Sequence, residues 1–406
     1  MTWEKVVNKD IKQEIEKKLF QFEEILKAKE ELYNNKQGLM GGKLGIVLYF
    51  FYYAKLMDKQ ELYDYGLELL SSVFEDINNG FNYHTHAGGL AGVGAVMEIL
   101  NNEDLVDIDT DELLGELDDY LYEVMIYEIK NGNYDFLHGA VGIGFYFFKR
   151  KKSDKSKKYL NDLIEEFDKI SIKDEDGIRW LSVLDREKKI EGYNLSLSHG
   201  LASIIVFLSK LYKENIAIEK VTELLNGSVK YLLDQQQDIS QNISYFPSWV
   251  CKEEPSTYSR IAWCYGDLGI GNALWLAGEN TRNEKWKKKA VEVLLHSTTR
   301  KEDKDTGVVD AGLCHGTAGI AHIYNRMFNY TGEIKFKEAA LFWVEKTLKM
   351  AKYDDGFAGY KVWRSEKHGG LQNEPGFLEG ISGIGLMLIS SISEIKPQWD
   401  ECLFLS

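Results

Sequence analysis

Two kinds of apolar pattern alternate along this chain. In the first, apolar residues recur every three or four positions with charge between them, as in Leu113, Leu114, Leu117, Tyr120, Leu121 and Val124. That spacing gathers them on one helix face and predicts half-exposed helices over 11–32, 61–76, 111–130, 157–170, 218–235, 283–300 and 335–352. In the second, nearly every position is apolar, as over 45–53, 142–148 and 202–208. A segment of that kind offers no face to water and predicts a helix buried on every side.

The buried segments share an opening. Gly-x-x-Gly followed by an apolar run occurs with first glycines at Gly42, Gly89, Gly139, Gly200, Gly266, Gly316 and Gly380, at intervals of roughly 50 to 65 residues. Only the fourth copy departs, with Ser203 in place of its second glycine. One repeat is a half-exposed helix followed by a buried one, too little to enclose a core alone, so neighbours must stack. No copy carries a polar capping face, and closure into a ring is expected: an all-α chain, an α/α toroid (double barrel) of seven inner and seven outer helices, in a single domain over 1–406. The chain holds 36 glycines against 4 prolines, which suits long helices and backbone close approach at the inner-helix starts. Three longer segments near 171–198, 238–263 and 353–377, rich in Tyr, Trp, Asp and Gly, are expected to lie over the rim at those starts.

Composition narrows the function. Lys and Arg number 49 against 64 Asp and Glu, a net charge of −15 that argues against a nucleic-acid binder. No apolar run reaches the length of a membrane span, and 1–20 lacks the apolar core of a secretory signal. Four cysteines are too few to staple a chain this long and fit a reducing cytoplasm, where cysteine more often binds metal or acts as nucleophile.

Function should appear where the repeats stop being equivalent. Just before the first glycine of each copy stand Gly41, Gly88, His138, His199, Tyr265, His315 and Glu379. One residue earlier, the fifth and sixth copies carry Cys264 and Cys314. Two thiols at matching rungs of neighbouring repeats, with His315 beside the second, suit Zn²⁺ and leave its fourth position open. The residues alone also allow an inert buried pair or a disulfide. His199 holds the matching place in the copy next to the thiols and is a candidate acid or base. His138, with Asp135 three residues before it, and Arg260 and Tyr265 around Trp263-Cys264 gather at the same rim.

Trp263-Cys264-Tyr265-Gly266, Cys314-His315-Gly316, Ser198-His199-Gly200-Leu201-Ala202 and Gly376-Phe377-Leu378-Glu379-Gly380 resemble the signature segments of the lanthionine synthetase C-like family, the lantibiotic cyclases. The likeness covers nearly the whole chain and is closest to the stand-alone, class I members. It implies the α/α toroid and one Zn²⁺ per chain held by Cys264, Cys314 and His315. It also implies His199 as acid/base, with Asp135, Arg260 and Tyr265 as further catalytic residues. His138 stands where a carboxylate is expected, which leaves the division of acid and base work open. The implied reaction adds a peptide cysteine thiol to dehydroalanine or dehydrobutyrine, closing a lanthionine or methyllanthionine ring. A free thiol with pKa ~8.5 is mostly protonated at neutral pH, so the reaction needs thiolate, and the enolate it leaves needs a proton.

The resemblance further implies a dehydrated precursor peptide with its leader as partner. A dehydratase and an exporter are candidate further partners, and the expected location is the bacterial cytoplasm, peripheral to the membrane where those partners assemble. Neither nucleic acid nor membrane insertion is expected. Two other readings stand beside this one. An α/α-toroid glycosidase would use Asp135 and Glu379 as its carboxylate pair and leave the cysteine register unexplained. A non-catalytic peptide- or glutathione-binding relative would keep zinc for structure.

Overall fold

The structure, a computed structural model, describes residues 3–406. Its helices are α1 (Lys9–Ala28), α2 (Lys43–Met57), α3 (Gln60–Asn78), α4 (Leu90–Asn102), α5 (Thr110–Lys130), α6 (Ala140–Lys149), α7 (Asp154–Lys169) and α8 (Leu201–Lys213). They continue with α9 (Ile218–Asp234), α10 (Asp267–Thr281), α11 (Glu284–Ser297), the single turn α12 (Asp303–Thr306), α13 (Thr317–Thr331), α14 (Ile334–Lys349) and α15 (Ile381–Ile392). The two hydrophobic patterns separate cleanly. Helices α2, α4, α6, α8, α10, α13 and α15 each follow a glycine motif. In α2 every residue from Lys43 to Ala54 is buried, and in α13 every residue from Thr317 to Phe328. Helices α1, α3, α5, α7, α9, α11 and α14 bury a single stripe, such as Leu114, Asp118, Leu121, Met125 and Ile129 of α5.

The glycines act through close approach. A Cβ on Gly142 would collide with the carbonyl oxygen of Phe136, and one on Gly319 with that of Leu313. In both places the loop before the helix folds back over its first turn. The loop carbonyls then accept hydrogen bonds from helix N–H groups that have no partner within the helix. The bonds Ala140 N to Asn133 O (3.0 Å), Thr317 N to Asp310 O (3.1 Å) and Ile381 N to Glu374 O (3.1 Å) all span the same separation. The fourth copy carries Ser203 at the second-glycine place, and its hydroxyl donates to the Gly200 carbonyl, 2.7 Å away.

The chain forms two compact units. The first comprises Met1–Tyr83, Ala87–Gly89 and Val308–Trp399. In it α15 packs on α1, α2 and α13, while α3 lies on α2 and α14 on α13. The second comprises His84–His86, Leu90–Gly307 and Asp400–Ser406. There α4, α6, α8 and α10 stand side by side, with α5, α7, α9 and α11 against them. Its last segment threads among the buried helices. The Trp263 indole N–H donates to Leu403 O (2.7 Å) and the Asn272 amide to Phe404 O (2.8 Å).

The long segments carry short strands. Between α7 and α8 lie β1 (Ile172–Asp174), β2 (Gly177–Arg179), β3 (Ser182–Asp185) and β4 (Ile190–Asn194); β5 (Trp249–Val250) follows α9. β1 and β2 form a hairpin, and a second sheet has the order β3-β4-β5. β6 (Val362–Trp363) and β7 (Leu371–Gln372) pair after α14. Among the described residues, no helix is long and apolar enough to cross a membrane.

One buried group sets an acid limit on the second unit. His86 is fully buried, its Nε2 lies 2.9 Å from the Cys402 carbonyl oxygen, and its Nδ1 has no hydrogen-bond partner. Burial pushes its pKa down to about 4. The unfolded chain therefore binds this proton first as pH falls, and stability drops between about 6.5 and 4. In His86→Gln, urea unfolding should show a shallower loss of stability over that window; an unchanged slope would remove His86 as its cause.

Candidate active site and metal centre

In the second unit a cavity of about 1100 Å³ opens beside the starts of α6, α8 and α10, lined among others by Asp135, His138, His199 and Tyr265. Each side chain is set by its own turn. Asp135 Oδ1 accepts the N–H groups of Leu137 (2.7 Å) and His138 (2.8 Å), closing the loop into α6 and leaving Oδ2 free to reach outward. The Ser196 hydroxyl accepts the His199 N–H (3.0 Å), fixing the turn into α8. The two loops then meet: His199 Nδ1 lies 2.6 Å from Asp135 Oδ2.

The electrostatics of this pair follow from its half-buried position. Burial disfavours the charged imidazole, but the Asp135 carboxylate outweighs it, with the charge of Cys264 adding in the same sense, and His199 is held above its ordinary 6.5. Burial likewise raises Asp135, and the His199 hydrogen bond overrides it, so the carboxyl sits below its usual range. His138 stacks on His199 with ring centroids 6.1 Å apart, and burial lowers its pKa. Two histidines at the same rung thus shift in opposite directions, because only the His199 imidazole is bonded to the carboxylate.

Tyr265 and Cys264 lie on the turn into α10. The Asn194 amide donates to Tyr265 Oη (3.0 Å), and burial raises this phenol, which stays protonated. The Cys264 carbonyl accepts the Leu197 N–H (3.0 Å), tying the cysteine turn to the His199 turn. Gly266 completes it at φ +97°, a conformation side chains disfavour. Arg260 precedes this turn, and among the described residues it shares no hydrogen bond or ion pair with Asp135. The aspartate is anchored by backbone N–H groups and His199 instead.

In the first unit Cys314 and His315 occupy the turn into α13. The Cys314 N–H donates to Leu378 O (3.0 Å). His315 Nε2 faces Asp310 Oδ2 at 3.5 Å, and Asp310 in turn accepts the N–H groups of Gly312 and Trp363 (both 3.1 Å). Burial raises Asp310, but His315 and these donors prevail and hold it below the carboxylate range. The Arg364 guanidinium bridges Glu374 and Glu379. Asp310 and Arg364 are absent from the sequence-derived set. The first left a faint signal, an aspartate shortly before a motif histidine as in Asp135–His138; the second, in a loop outside the repeat register, left none.

Cys264 before α10 in the second unit, and Cys314 and His315 before α13 in the first, are the candidate metal ligands. All four cysteines are free of disulfides. Cys251 and Cys402 take no part in the group.

Paired helices with glycine-opened starts, some preceded by cysteine and histidine, define a class, the helical toroids with candidate metal ligands. The chain belongs to the lanthionine synthetase C-like protein family, which it matches over residues 33–404. It is 24% identical to the nisin biosynthesis protein NisC of Lactococcus lactis subsp. lactis over 429 aligned positions, spanning 98% of this chain and 96% of the relative. The solved structure of a nisin cyclase superposes with a TM-score of 0.74 at 19% identity, covering 98% of each chain. That likeness fixes the fold as an α/α toroid.

The histidine–aspartate pair generates a direct prediction. Removing the Asp135 charge leaves burial as the main influence on His199, so Asp135→Asn should bring the His199 pKa below 6.5 in an NMR titration. An unchanged value would mean that Asp135 does not set it.

Proposed function

We propose that the chain is a zinc-dependent lanthionine cyclase acting on a dehydrated precursor peptide. The observation that carries this reading is that a member of this family has two thiols and one imidazole, Cys264, Cys314 and His315, at the openings of successive glycine motifs. Two thiols and one imidazole are a donor set that suits Zn²⁺. The Asp310 carboxylate faces Nε2 of His315, an arrangement in which a carboxylate orients a metal-ligating histidine. Bound there, Zn²⁺ would keep a fourth position open and hold a substrate cysteine sulfur as thiolate.

The chain's own residues supply the rest. The new carbon–sulfur bond forms at the β-carbon of dehydroalanine or dehydrobutyrine, and the π-electron pair moves onto the carbonyl as an enolate. With Nδ1 on Asp135, His199 offers Nε2–H to the cavity, and its raised proton affinity keeps that proton available near neutrality. It protonates the α-carbon, and the thiol's proton restores His199, so the product has the mass of the substrate. Protonated Tyr265 can donate to the enolate oxygen, and Arg260 can stabilise its charge electrostatically. A glycosidase reading has little to work with: Asp135 is committed to His199 and Glu379 to Arg364.

The reading treats 1–406 as one cyclase domain working in the cytoplasm. It implies a dehydratase to generate the unsaturated residues and an exporter to remove the product.

Cys264→Ala and Cys314→Ala should each lose bound zinc and cyclisation together. His199→Asn should keep its zinc while turnover falls by about 10²–10⁴. Metal analysis, with free-thiol loss at constant peptide mass, reads both quantities. Full activity in His199→Asn would remove it as the acid.

A further inference from the structure

The second sheet is open along β3. Its order β3-β4-β5 puts β3 at the margin, and among the described residues no other backbone pairs with the outer side of β3. The cavity beside the His199–Asp135 pair is lined by six consecutive residues, 181–186. Side chains of a strand alternate between its faces, so a cavity that meets every residue in turn meets the strand's edge. Leu181, just before β3, and Val183 within it are 43% and 57% exposed there, beside the strand's open backbone edge. An exposed apolar edge of this kind is a liability unless something covers it.

The edge is also fixed relative to the chemistry. Tyr134, the residue before Asp135, is buried, and its hydroxyl donates to the Trp180 carbonyl (3.3 Å) and meets the Ser182 hydroxyl. The start of β3 is thereby pinned to the turn that carries Asp135. A volume of about 1100 Å³ exceeds what a small metabolite needs and suits a stretch of peptide.

We propose that the substrate peptide docks in extended form along the outer edge of β3, adding a strand to the sheet and running past His199. The idea rests on the cyclase reading and specifies how that site takes its substrate. Backbone hydrogen bonds would carry most of the recognition, so the site would accept varied side chains, with Leu181, Val183 and Trp249 favouring apolar ones.

The test uses the full zinc-loaded protein and short synthetic peptides, each with one dehydroalanine and one cysteine, methylated in turn at every backbone nitrogen. Strand N–H groups alternate sides, so docking on β3 predicts that KM rises about three- to tenfold at every second position, with kcat unchanged and the intervening positions near the parent value. A serine-for-cysteine peptide, which cannot cyclise, should slow hydrogen exchange of the Ser182–Asp185 amides. Cyclisation of the parent peptide without alternation, or without protection of β3, overturns the proposal and leaves the cyclase reading intact. Absence of cyclisation in every parent peptide by the zinc-loaded protein removes the cyclase reading and the docking mode with it.

Discussion

Five of the buried helices, α2, α6, α10, α13 and α15, begin where a loop backbone lies so close that no side chain fits between them. The second glycine of a motif lies under the carbonyl of the residue six positions earlier, as at Gly142 beneath Phe136 and Gly319 beneath Leu313. The contact satisfies helix N–H groups that would otherwise be buried without a partner, at a cost of about 1–3 kcal/mol each. It also fixes the residues just before the first glycine at the same height on each helix. The candidate residues His199, Cys264, Cys314 and His315 stand at the starts of buried helices.

The chemistry grows from small differences between equivalent places. His138 and His199 occupy the same rung and stack together, yet Asp135 reaches only His199, and their proton affinities part in opposite directions. The Asp135 carboxylate divides its oxygens between two tasks, one closing its own turn and one holding the imidazole. Asp310 does similar work for His315, accepting backbone N–H groups while it faces the ring. A carboxylate that first organises a loop and then orients a histidine occurs in both units.

Much of this was legible in the sequence because the repeat supplied a ruler. The helical stripes predicted at 61–76 and 218–235 correspond to α3 and α9 within two residues at either end. Glycine register placed Cys264, Cys314 and His199 at helix starts before any fold was known. What escaped lies outside the register. The strands in 171–198 are short and irregular, with a bulge between Val183 and Asp185, so no alternating pattern announced them. Nor did sequence show that 400–406 threads among the buried helices, since Phe404 is held there by contacts with Phe136 and Phe145, more than two hundred and fifty residues away. The Asp135 carboxylate is held by local N–H donors, which a reading by residue type overlooks.

The central claim is that two cysteines and a histidine brought to matching helix ends share one metal ion. Zinc-edge X-ray absorption of the purified protein tests it without reference to any substrate. The account predicts two sulfur neighbours at about 2.3 Å and one imidazole nitrogen at about 2.0 Å, with a single light atom completing the shell. A first shell without sulfur, or with four sulfurs, would contradict it.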